Sequence, residues 1–165
     1  MNDRPPAPGG LALIEALVNT LDIETGADGL DTQEARERFA LAPPEVPAAR
    51  DLREALRAAC LAHAGHGTST ALDALLADAP LRVAIAPDGS AAVRAVRPTT
   101  LHSRVAEAIA TATADGTWTR LKACEAEDCH WAYYDRSPGG RSRWCSMSVC
   151  GARTKMRTYR ARRAP

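Results

Sequence analysis

The stretch CEAEDCHWAYYDRSPGGRSRWCSMSVC, Cys124 to Cys150, carries four of the five cysteines of this 165-residue chain. They form two Cys-x4-Cys pairs, with fifteen residues between Cys129 and Cys145. A tetrahedral zinc site suits such an array, because each pair supplies two thiolates from one turn and the spacer lets the second pair fold back. Two disulfides are the competing reading. The opening MNDRPPAPGG lacks the apolar core of an export signal, which makes a cytoplasmic location the expectation, and spaced cysteines in a reducing compartment are more often metal ligands than bridges. One structural zinc on Cys124, Cys129, Cys145 and Cys150 follows. Four sulfurs close the shell, so His130 is expected to stay out, and no position is left for a hydrolytic water.

Between the pairs, HWAYYD reads as a strand, RSPGGR as a turn, and SRW as a lead into the second pair. The ligands would clamp that hairpin to a helix starting near Ser148, a treble-clef-like module. From Trp118 onward the chain has about 48 residues, six aromatics and few aliphatics, too little for a core that needs no staple. On the helix, Val149, Ala152, Met156 and Tyr159 recur on one face and are expected to pack on the hairpin.

Cations border that stripe. Arg153, Arg157 and Arg160 line one flank, Lys155 and Arg162 the other, and Arg141 and Arg143 fall on the preceding strand. The chain's net charge of +1 hides the imbalance: the 25 residues from Arg141 hold eight basic residues and no acidic one. Guanidinium groups pair bidentately with phosphate, and each neutralised phosphate releases counterions, so these seven side chains point to DNA. An acidic protein partner, or the acidic first part of the same chain, is the rival.

Upstream the pattern changes. LALIEALVNTL, Leu11 to Leu21, is a buried helix; a second starts at Asp31, with Glu34 completing a capping box, and runs to about Leu41. Pro43, Pro44 and Pro47 should break the chain before a helix over 48–64 whose apolar face holds Leu52, Leu56 and Cys60, the last a plain buried thiol. A short helix over 70–79, a hairpin of LRVAIA and AAVRAV about PDGS, and a helix over 99–115 complete the pass. The fold class is α+β. We expect a flexible 1–10, a mostly helical module over 11–116, and the zinc module over 117–165. No apolar run approaches the roughly 20 residues a membrane span needs. The first module shows no paired nucleophile and base, no phosphate loop and no second metal cluster, so an enzyme is not expected.

The block Cys124 to Arg163 resembles the CGNR zinc finger in its cysteine spacing, its Trp-Cys-Ser-Met and its closing basic helix. Upstream, LALIEALVNTL followed by a Gly-containing loop is similar to the start of the ABATE domain, the usual partner of that finger. The resemblance implies a bacterial transcription regulator whose zinc-held end binds DNA and whose first domain senses a small-molecule effector or a partner. It also implies the four cysteines as ligands, with Gly151 and Arg153 in the name-giving motif. Asn19 and Thr20 match the family's Val-Asn-Thr and would line a ligand pocket, unless they serve only as helix-end hydrogen-bonding groups. Ala152 stands where the family has asparagine, so any cap or adenine contact of that amide is missing.

Overall fold

The computed structural model describes residues 4–163. Among the described residues six α-helices and two separate hairpins form: α1 (Leu11–Val18), α2 (Gln33–Arg38), α3 (Val46–His63), α4 (Ala71–Leu76), β1 (Leu81–Ile85), β2 (Ala91–Ala95), α5 (Leu101–Ala114), β3 (Leu121–Ala123), β4 (Ala132–Tyr134) and α6 (Ala152–Ala161). The α+β class therefore holds, with one antiparallel hairpin, β1–β2, in the helical part and another, β3–β4, beside the cysteines.

The central packing unit is α3. Its apolar face seats Ala49, Leu52, Leu56 and Cys60 in one buried cluster with Leu11, Ile14, Leu17 and Val18 of α1, which in turn packs on α5, whose Leu101 and Val105 join the same cluster. Buried with them are Leu121 and Ala123 of β3 and Ala132 and Tyr134 of β4. The cysteine-bearing segment thus shares one core with the helices. The packing crosses the compositional boundary near Gly116: a hairpin of three-residue strands is too short to bury a face by itself. A smaller cluster of Cys124, Ala126, Tyr133, Cys145 and Cys150, edged by Trp131 and Trp144, lies on the other face of that hairpin.

Several local expectations need correction. Helix α1 stops at Val18, leaving Asn19 and Thr20 outside it, where Asn19 meets β4 and Thr20 accepts from Arg53 of α3 while donating back to Leu17. The cap of α2 is Thr32, whose hydroxyl accepts from the Ala35 amide, while Asp31 is drawn into an ion pair with Arg50. Pro47 begins α3 rather than preceding it, since a proline in the first turn wastes no hydrogen bond. Residues 4–10 are strapped down: the buried Glu15 carboxylate accepts from the Ala7 amide at 2.6 Å, and Arg136 donates to the carbonyls of Pro5 and Pro6. At Gly10 a Cβ would lie 2.7 Å from the Ala108 Cβ, so glycine sets the close approach of α1 to α5.

Candidate metal centre and basic helix

β3 runs straight into the first cysteine. The hairpin ladder continues past Ala123, with the Cys124 amide donating to the Trp131 carbonyl at 2.9 Å, so Cys124 and Cys129 sit on the tight turn that joins β3 to β4. His130, in that turn, takes a left-handed φ of 49°. The second pair comes from a π-turn, Met147–Gly151, leading into α6, with Cys145 just before it and Cys150 inside it. The expected hairpin between the pairs is absent: β4 pairs backwards with β3, and residues 141–143, placed on a strand by sequence, run outside any ladder. What holds that stretch is Asp135, a fully buried carboxylate that accepts from the Ser137 and Ser142 amides and pairs with Lys122 at 3.3 Å. Burial pushes its pKa up, but the bonds from Ser137 and Ser142 outweigh burial and hold it well below the usual carboxylate range. Beside it the buried Tyr133 hydroxyl donates to the Ser142 carbonyl at 2.6 Å.

The four Sγ atoms all lie within 4.8 Å of one another. The Cys129–Cys145 and Cys145–Cys150 sulfur separations are both 3.6 Å. That is far beyond a disulfide of about 2.05 Å. It is close to the edge of about 3.8 Å that a sulfur tetrahedron has around zinc with bonds of about 2.3 Å. The four thiols compete for protons in this space: hydrogen bonds from Cys129 and Cys145 lower the Cys124 pKa, while their bonds to Cys124 raise those of Cys129 and Cys145. A dication removes that conflict by favouring the anion at every sulfur. The donor set and its dimensions fit one structural zinc, held by Cys124, Cys129, Cys145 and Cys150. By contrast, Cys60 is a lone buried thiol in the helical core, its pKa pushed up to about 12 by burial.

Backbone-directed bonds tie this centre to the rest of the chain. Arg57, 4% exposed on α3, donates to the His130 carbonyl and to the Val18 carbonyl at the end of α1. Asn19 makes a two-way bond with Ala132 of β4, amide to carbonyl at 3.0 Å and back at 2.7 Å. Arg4 donates to the carbonyls of Trp144 and Cys145 and lies over the Tyr133 ring. None of Arg4, Arg57, Tyr133 or Asp135 stood out in the sequence; only the Glu54–Arg57 spacing on one helix hinted at a pairing. Thr20 donates to the Leu17 carbonyl and accepts from Arg53. Asn19 and Thr20 thus serve the structure, although both also border a groove of about 550 Å³ with Arg4, Glu15, Arg38 and Trp131.

The cations of the last 25 residues separate into two groups. Arg153 bridges Asp128 and Glu24, at 2.9 and 3.1 Å, and Arg157 joins it on Asp128 at 2.6 Å. Arg143 is paired with Glu125 at 2.6 Å. Of the seven cations read from sequence as facing DNA, these three are therefore ion-paired inside the chain. Arg141, Lys155, Arg160 and Arg162 have no carboxylate within ion-pair distance among the described residues. α6 buries no residue, and its N-cap is Gly151, which has no side chain to cap it; Ala152, in the asparagine position, is already the first residue of the helix. The stripe expected to pack on the hairpin instead faces solvent, with Val149 47% and Met156 and Tyr159 each 50% exposed. Gly151 explains the tight start of this helix, since a Cβ there would meet the Met147 sulfur at 2.6 Å and the Trp144 ring at 3.0 Å.

Comparison with known families gives two matches. Residues 11–116 match the ABATE family, described as a putative stress-induced transcription regulator, and residues 120–163 match the CGNR zinc finger. No curated protein matches the chain. Among the described residues, no helix is long and apolar enough to cross a membrane.

Proposed function

Starting from the fact that this chain belongs to the ABATE family and ends in a CGNR zinc finger, we propose that it is a cytoplasmic, non-enzymatic transcription regulator that grips DNA phosphates with α6. The observation that carries this reading is the division among the cations. Among the described residues Arg141, Lys155, Arg160 and Arg162 have no carboxylate partner, whereas Arg143, Arg153 and Arg157 are paired within the chain. Zinc organises the base of the helix through Cys145 and Cys150; the outward cations supply affinity without sequence reading. The groove bordered by Arg4, Glu15, Asn19, Thr20, Arg38 and Trp131 is where a small-molecule effector would act on the finger, because Asn19 holds β4 and Arg4 holds the Cys145 carbonyl.

A second reading has its own support. Trp144, Met147 and Tyr159 line a groove beside α6 with Lys155 and Arg162 at its rim, which suits an acidic protein of the transcription machinery. Electrophoretic shifts with genomic fragments over a range of salt separate the two. DNA binding through Z phosphates weakens with a log–log slope of roughly −0.9Z. The expected result is a shift at low salt that is weaker and less salt-dependent in the Lys155→Ala/Arg160→Ala/Arg162→Ala variant; no shift at low salt favours the protein partner.

A further inference from the structure

The β1–β2 hairpin is the opposite of β3–β4. On β1, Leu81, Val83 and Ile85 are 36%, 66% and 66% exposed, an apolar row on a two-stranded sheet whose β1 side has no neighbour. Backbone direction completes the picture. The Ala86 amide bonds to the Ser90 carbonyl and the Val96 amide to the Pro80 carbonyl, so by the alternation of an antiparallel ladder the even residues of β1 face β2. The amides and carbonyls of Leu81, Val83 and Ile85 therefore point off the free edge, and no partner takes them among the described residues. Natural edges are blocked by proline, a bulge or an inward charge. Within β1 none of these is present, since Arg82 projects on the other face, opposite Arg94.

We propose that this edge is a homodimer interface, in which β1 pairs antiparallel with β1 of a second copy about a two-fold axis through Val83. Sequence register selects the occupant. Centred on Val83, all three outward residues pair, Leu81 with Ile85 of the other copy and Val83 with itself. Arg82 then faces Ala84, so no two cations of different copies oppose each other. A shift centred on Arg82 lines up Arg94, Arg82 and their two copies in one row, which like-charge repulsion disfavours. A shift centred on Ala84 sets Leu81 against Pro87, which has no amide to give. The strand is thus complementary to itself in one register, the condition for a closed two-fold contact. A five-residue edge is short of the roughly 800 Å² per partner of a tight complex, so the dimer forms in the micromolar range.

Sedimentation velocity of the full zinc-loaded chain, from about 1 to 100 μM, tests this apart from any nucleic-acid binding. The expected result is a monomer–dimer equilibrium. Val83→Lys, at a site 66% exposed and outside the buried core cluster, weakens it by roughly tenfold or more, with zinc content and circular dichroism unchanged. Ala84→Glu, which sets two carboxylates against two Arg82 side chains, tightens it by roughly threefold, and Ala84→Arg loosens it. A monomer at every concentration overturns the proposal. So does a dimer indifferent to Val83→Lys, or one on which the two Ala84 variants act alike.

Discussion

Two arginine-bearing helices, α3 and α6, use the same side chain for opposite ends. On α3, Arg53 and Arg57 are each only 4% exposed and are bonded inside the chain: to Asp28, Glu54 and Thr20 for the first, to Glu54 and two backbone carbonyls for the second. On α6, nothing is buried, and among the described residues only Arg153 and Arg157 find carboxylates. Burial makes a charge structural because leaving it unpaired is costly, whereas an exposed charge stays free to meet a ligand. Counting arginines therefore overstates a binding surface; what matters is which remain after the chain has used its own.

The sharpest way to break the contrast is to remove what both helices rely on. Cys145→Ser is expected to abolish stoichiometric zinc, and with it a contribution on the order of 10 kcal/mol to folding, leaving no cooperative melt for a segment that shares a core with α3. Metal analysis and calorimetry read this together. If the helical part melts as before, the two regions are separate after all.

Next in size, Arg57→Met is expected to cost about 3–5 kcal/mol in denaturant unfolding, because Glu54 loses a partner and the His130 and Val18 carbonyls are left bare. A loss under about 1 kcal/mol would place Arg57 with the surface cations. The acid limb gives a third test. Burial raises the Asp28 pKa, yet bonds from Arg53, the Leu30 amide and Arg50 outweigh it and leave it lowered. A lowered acid stabilises the fold above its unfolded pKa of about 4, and that stability disappears as pH falls through the folded value. Asp28→Asn should lower stability at neutral pH and flatten its fall below about pH 4, as seen in melting temperatures across that range.

Much of this was open to reading from sequence, and what was not has a common cause. The four ligands are legible because thiolate chemistry and spacing are local. Helix periodicity located α3 and α5 to within a few residues, since their apolar faces are long enough to show a period. The pairing of β3 with β4 was missed because each strand is three residues long, too short to show alternation, and Leu121 lies before the first cysteine. The fate of Arg153 was likewise hidden: its partners Glu24 and Asp128 are far away in the chain, and only the folded hairpin brings them together.

The smallest structural effect belongs to α6. Replacing Lys155, Arg160 and Arg162 by alanine should leave the melting temperature unchanged while reducing the salt slope of DNA binding by roughly 2 to 3. Arg153→Ala should do the reverse, lowering the melting temperature through the loss of Glu24 and Asp128 and changing the slope less.

That the finger and the helical region form one body through β3–β4 is tested most directly by hydrogen–deuterium exchange of the full chain with zinc bound and after chelation. The account predicts that amides of α1 and α3 lose protection along with those of 121–134 when the metal is withdrawn. Unchanged protection in α1 and α3, with loss confined to residues beyond Trp118, would contradict it.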